Sequence, residues 1–164
     1  MSAEVLMGVS AWLAFVLWIV AEGMSARRPP GDRGLAGVWA AGAAAMTLHQ
    51  LLAFALRHQW SHAAAVEETA RQTAAVFGIS WGGGVWFNYL LVVWWWRQAL
   101  AGIPGLRVPV AGRWETILRR GFFAMMWFNG AVVFVSGGRR LLGLALTAIA
   151  LAVGYREWRG RVRA

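Results

Sequence analysis

The sequence predicts an all-α fold: a polytopic bundle of about five membrane-spanning helices, N-terminus outside and C-terminus inside. Three observations predict it. First, 59% of the 164 residues are hydrophobic and only 14% are charged, with a mean hydropathy of +0.52. A soluble domain carries roughly 25% charged residues, so lipid must cover much of this chain. Second, apolar residues gather in five stretches, and about 20 mainly apolar helical residues cross about 30 Å of hydrocarbon. Third, all 16 cationic residues are Arg, and most lie in three clusters between or after those stretches. Loops that face anionic lipid on one side of a bilayer look like this.

The first stretch, 5–21, ends at Glu22. Only Glu4 precedes it as a charge, so it lacks the cationic region of a signal peptide and reads as a retained helix. The loop 22–33 follows. Its Pro29 and Pro30 remove two backbone donors and fix φ, which stops a helix. The second stretch is 34–56. The polar segment 57–72 is expected outside, as an extension of the second helix beyond the membrane. The third stretch is 73–96, closed by Trp94, Trp95, Trp96 and Arg97. Indole rings sit well among headgroups, so the triple Trp reads as an interfacial anchor, as do Trp60 and Trp158.

The loop 97–120 contains Pro104 and Pro109. Its last part, 113–120, reads as an amphipathic turn with Trp114, Ile117 and Leu118 at the lipid boundary. The fourth and fifth stretches, 121–136 and 141–155, are short. They gain length if Arg119, Arg120, Arg139, Arg140 and Arg156 snorkel to the interface. Ser136, Gly137 and Gly138 form a tight turn between them, as in a helical hairpin. A re-entrant pair is the alternative. It is disfavoured because its backbone would need shielding by protein that this chain lacks. The tail, 156–164, carries four Arg. With the N-terminus outside, 12 Arg fall inside and four outside, and the positive-inside rule selects that orientation.

Small residues are expected to set the packing. Ala36, Ala40 and Ala44 recur at spacing four, and Gly78 and Gly82 form a Gly-x-x-x-Gly pair. Gly82, Gly83 and Gly84 stand in mid-stretch. They read as a close contact with a bulky neighbour such as Trp12 or Trp127. The alternative is a broken helix at a binding site.

Polar residues inside a membrane are costly and need a reason. His49, beside Thr47 and Gln50, lies about 10 Å from the outer end of its helix at 1.5 Å per residue. Ser80, Trp81 and Asn129 fall at the same level, with Asn88 and Tyr89 deeper. A polar cluster of His49, Ser80, Asn129 and Asn88 is therefore expected, with His49 bonded to Ser80 or Asn129. The competing reading is a single His satisfied by a backbone carbonyl.

A second pattern is His58-Gln59-Trp60-Ser61-His62, followed by Glu67 and Glu68. On a helix, His58 and His62 share a face at the spacing two imidazoles need for one metal ion. Two His alone do not complete a site, and on a continuous helix the Glu residues lie well around from His62. Haem within one chain is not expected, since all three His come from one segment. With no Cys, disulfides, thiolate metal sites and covalent haem are excluded. Gly-x-Ser-x-Gly, P-loop and His-Glu-x-x-His motifs are absent. No acidic residue lies mid-stretch, which argues against ion coupling.

The expected role is therefore an accessory or structural subunit of a bacterial inner membrane. It would pack against homo- or hetero-oligomeric partners through Gly/Ala faces, with lipid but not nucleic acid as its surroundings. A metal or haem redox subunit using His58 and His62, and a small-molecule transporter, are the alternatives. No cofactor beyond that metal ion is suggested.

Overall fold

A computed structural model describes residues 2–25, 27–29, 31–103, 105–109 and 111–163, with side chains described through residue 152 and at Tyr155. The chain is all-α. Among the described residues, six helices and one π-helical turn account for the regular structure, with no strand. The helices are α1 (Ala3–Ser25), α2 (Arg33–Arg57), α3 (His62–Phe77), α4 (Gly84–Leu100), α5 (Arg113–Phe128) and α6 (Gly138–Arg163). The π turn, Asn129–Val133, joins directly onto α5. Two of these helices, α1 and α2, are long and apolar enough to cross a membrane.

Local chemistry places the helix ends. Asp32 caps α2, its carboxylate accepting the Leu35 N–H at 2.8 Å and pairing with Arg28 at 3.0 Å. Ser61 caps α3 through the Ala64 N–H. Gly78 ends α3 in the left-handed conformation, φ +71°, and donates its N–H to the Ala74 carbonyl.

Four long-range ion pairs show which helix ends lie together. Arg57 meets Glu4 at 3.2 Å, so the start of α1 and the end of α2 share one end of the bundle. At the other end Glu22 pairs with Arg119 and, at 2.8 Å, with Arg120, while Arg97 meets Glu115 at 2.7 Å. Helices α1, α2, α4 and α5 therefore run alternately up and down. Aromatic rings fill the space between them. Phe123 of α5 touches Trp18, Trp39 and Trp95, and Trp127 stands edge-on to Phe15 at 4.4 Å and to Trp12 at 5.8 Å. Close approach of α2 and α4 depends on Gly42, which lies flat against the fully buried Trp95. Helix α6 lies outside this group. Gly143 abuts the Ala131 carbonyl of the π turn, and the Trp127 indole N–H donates to Thr147 at 2.7 Å.

Several expectations change. The stretch 73–96 is not one helix: α3 stops at Phe77 and α4 starts at Gly84. The segment 57–72 does not prolong α2 either. The chain turns at His58, with Gln59 (φ 48°) and Trp60 (φ 61°) both left-handed, before α3 begins. Residues 113–120 form the first half of α5 rather than a separate turn. Arg119 is 5% exposed, stacks over Trp39 at 5.2 Å and pairs with Glu22, so it does not snorkel outward. Trp95 is core, not anchor, and Trp96 donates its indole N–H to Thr47 at 3.0 Å. The tail continues α6 to Arg163. Its side chains, with Trp158 and Arg156, lie outside the described residues.

The outward-facing surfaces of α1 and α4 are apolar. Val5, Val9, Leu13, Val16 and Val20 form a stripe along α1, spaced three or four residues apart and 42–51% exposed. Trp86, Leu90 and Val93 do the same on α4.

Candidate functional site

Above the aromatic core, at the Glu4–Arg57 end, the helices splay and enclose a cavity of about 750 Å³. That size falls within the range of small-molecule sites. Helices α1 and α2 make one wall, with Phe15, Met46, His49 and Gln50. Helix α4 contributes Val85, Asn88 and Tyr89. The end of α5 and the π turn contribute Met125, Met126 and Asn129.

Helix α3 is the roof, presenting Ala65, Thr69 and Thr73 to the cavity. Two devices hold it there. At its start, His62 Nδ1 lies 2.9 Å from the Tyr89 hydroxyl, and its ring packs 5.2 Å from Trp86. At its end, the Thr73 hydroxyl accepts the Trp81 N–H at 3.0 Å and lies 2.9 Å from the Trp81 carbonyl oxygen. This folds residues 78–83 back onto α3. Gly82 then sits on Val66, so close that a Cβ would come 2.6 Å from the Val66 carbonyl oxygen. Gly82 and Gly84 thus serve contacts with Val66 and Thr69, and Gly83 one with the Trp81 ring, not with Trp12 or Trp127.

The lining is mixed in polarity. Among the described residues it includes no Asp, Glu or Arg. Its polar groups are His49, His58, Gln50, Gln72, Asn88 and Asn129, with two Thr and one Tyr. The rest is largely aromatic side chains and Met. Cavities with a mostly apolar wall and a few convergent polar groups are the usual form of ligand sites.

The expected polar cluster is regrouped. His49 Nδ1 lies 2.9 Å from the Met7 carbonyl of α1, so its partner is backbone and neither Ser80 nor Asn129. His49, Asn88 and Asn129 do line one cavity. Ser80 does not; it is exposed in the α3–α4 loop. Gln50 donates to the Asn88 carbonyl and bridges α2 to α4.

His58 and His62 do not share a helix face, because the left-handed turn separates them. His58 lines the cavity edge-on to Phe54, while His62 is held by Tyr89. Glu67 and Glu68 are engaged by Arg71 along α3. That guanidinium, then the Gln72 amide, hold the Glu68 carboxyl below the usual range. Among the described residues, no group of three or more His, Cys, Asp or Glu gathers that could hold a metal ion.

Two contributors carry no clear sequence signal. Thr73 looks like the first residue of an apolar stretch, yet its hydroxyl fixes the reversal. The π turn places Asn129 in the wall, its carbonyl accepting the Phe134 N–H at 2.9 Å. Such turns recur at functional sites. No family model, no curated protein and no solved structure matches the chain.

Proposed function

We propose that the chain is a small multi-pass protein of a bacterial inner membrane, with five spans arranged N-out and C-in, that holds an uncharged small molecule in its cavity. In this reading α1, α2, α4, α5 with its π turn, and α6 cross the bilayer. Helix α4 has 17 residues, about 25 Å at 1.5 Å per residue, so it needs slight local thinning. Helix α3, with Glu67, Glu68 and Arg71 facing away from the bundle, lies along the outer surface as a lid. The apolar stripes on α1 and α4 support this arrangement, since lipid is the solvent that accepts them.

One observation carries the binding role: a cavity of ligand size with hydrogen-bonding groups and no Asp, Glu or Arg among its described lining residues. It favours a binding or carrier protein over the ion-coupled class. The test is native mass spectrometry of the protein released from mild detergent. A stoichiometric small molecule is expected on the wild type and absent from Ala53→Phe and, independently, from Ala11→Phe, both of which fill the cavity. Melting curves establish that the variants fold. A wild type carrying only detergent or phospholipid, in the same amount as the filled variants, overturns the proposal.

A role in packing against partner chains is the second reading, and one observation favours it. Gly42, Gly102 and Gly143 are consumed by contacts inside the chain. Gly37, Ala41, Ala44 and Leu48 nevertheless leave a small-residue stripe of α2 exposed. Replacing Ala44 by Phe and following oligomeric size in detergent tests it: a change from a defined assembly to monomer supports partner packing, and an unchanged size removes it.

A further inference from the structure

We infer that the cavity takes a neutral amphiphile already dissolved in the lipid, one with a carbonyl or hydroxyl head on an apolar body. It enters sideways, between α4 and the α5–π segment. This rests on the binding role proposed above and names its ligand class and route.

Three observations carry it. The first is the position of the opening. Ring contacts between α4 and α5 among the described residues all go to Phe122 and Phe123, from Phe87, Trp94 and Trp95. Beyond Phe123, toward the Glu4–Arg57 end, Met125, Met126 and Asn129 face the cavity instead. The second is the composition of the rim. Phe77, Ile79, Trp81, Phe87, Met125 and Phe134 line the cavity and are also 37–67% exposed, so they are its mouth. A mouth of large apolar side chains would repel a hydrated solute and admit one that has already left water. Phe77 and Phe134 meet edge-to-face across it at 6.2 Å, one from the lid and one from beyond the π turn.

The third is the polar part of the wall. There α2 offers His49, Gln50 and His58, and α4 adds Tyr89. These groups suit a carbonyl or hydroxyl oxygen. A carboxylate, phosphate or ammonium group would meet no Asp, Glu or Arg among the described lining residues, and burying an unpaired charge is costly. A ligand entering with its apolar end in lipid would present its polar head to this wall, and Met125 and Met126 adapt to the shape of its body.

The chain has no Cys, so two introduced thiols are the only ones present. The experiment uses Phe77→Cys/Phe134→Cys in phosphatidylcholine–phosphatidylglycerol vesicles, bridged by a short bis-methanethiosulfonate and released by dithiothreitol. The probes are N-phenyl-1-naphthylamine and its sulfonated analogue 1-anilinonaphthalene-8-sulfonate, which share a ring skeleton and differ in charge. Binding is read as the tryptophan-to-probe energy transfer that Ala53→Phe abolishes.

The unbridged protein is expected to take the neutral probe and to bind the sulfonate at least about tenfold more weakly, as expected for an uncompensated charge. Bridging slows loading of the neutral probe at least about tenfold, as closure of a gate does, and reduction restores it. Equal binding of the two probes overturns the ligand class. Unchanged loading after confirmed bridging overturns the route. If the unbridged protein and the wild type both fail to take the neutral probe, the binding role falls with the inference.

Discussion

At the scale of single residues, the most consequential interaction is the one between Glu22 and the two arginines of α5. Arg119 is almost fully buried beneath Trp39, and Glu22 is the acidic partner recorded for it. Removing one partner of a buried pair leaves a charge with nothing to neutralise it. Glu22→Gln should therefore lower stability by about 3 kcal/mol, scaled down from the 3–5 range because Glu22 is partly exposed; thermal melting in detergent reads it. Arg120 is more exposed, so Arg120→Gln should cost clearly less. Asp32 acts by a different route. The Leu35 N–H, then the Arg28 side chain, hold its carboxyl below the usual range. Its contribution is therefore complete above the ordinary carboxylate range and disappears as pH falls through the lowered value. Asp32→Ala should melt below the wild type at neutral pH, and the gap should close in acid. A gap that widens on acidification would show that the cap is not the cause.

The same residues show what a sequence can and cannot display. Counting Arg places Arg119 and Arg120 in a loop, because only the composition of the neighbourhood is visible. Their acid lies 97 and 98 positions earlier, at the end of another helix. His49 was identifiable as a buried polar group needing a partner. That the partner is the Met7 carbonyl depends on the register of α1 against α2, which no local pattern encodes.

At the scale of elements, hydropathy and stop signals locate α2 almost to the residue: 34–56 expected, Arg33–Arg57 observed. Pro30, Asp32 and the polar run after Leu56 mark both of its ends. The stretch 73–96 misleads for a physical reason. Its residues are apolar throughout, but the backbone reverses inside it, and apolarity is blind to chain direction. The reversal is held by the Thr73 hydroxyl and by Gly82 against the Val66 carbonyl. Two substitutions separate these causes. Gly82→Ala collides with backbone that cannot move aside, and should cost about 1–3 kcal/mol while lifting α3 from α4. Gly78→Ala meets open space and bears only the left-handed backbone penalty, about 1–2 kcal/mol. Melting gives the costs, and accessibility of a thiol introduced at Ala65 reports the lift. Exposure of that thiol is expected in the Gly82 variant alone.

For the whole molecule, the all-α class and the richness in lipid-compatible surface were legible from composition. The cavity was not. Its walls draw on all of α1 to α5 and the π turn, segments far apart in sequence that only the fold brings together. The clearest whole-molecule test is sidedness. Under the proposed topology of five spans with the N-terminus outside, a thiol at Ser61 should react with a membrane-impermeant maleimide added to intact cells. A thiol at Gly112 should react only after the membrane is opened. The Cys-free background makes both readings clean. Labelling of the two positions from the same face would remove the alternating path from the bilayer.

The π turn has a consequence for how this protein could have changed over time. A π-helical ring encloses one more residue than an α-helical ring, so Asn129–Val133 has the form of an α-helix that has absorbed a single-codon insertion. Excising one residue there would let the ring close as an ordinary α turn, so the segments on either side would keep nearly their present faces. Asn129 and Ala131, the seat of Gly143, lie inside the turn and are what such a change would move. A length change of one amino acid would therefore reshape one wall of the cavity and the seat of the last helix, while the aromatic core of the other helices stayed where it is.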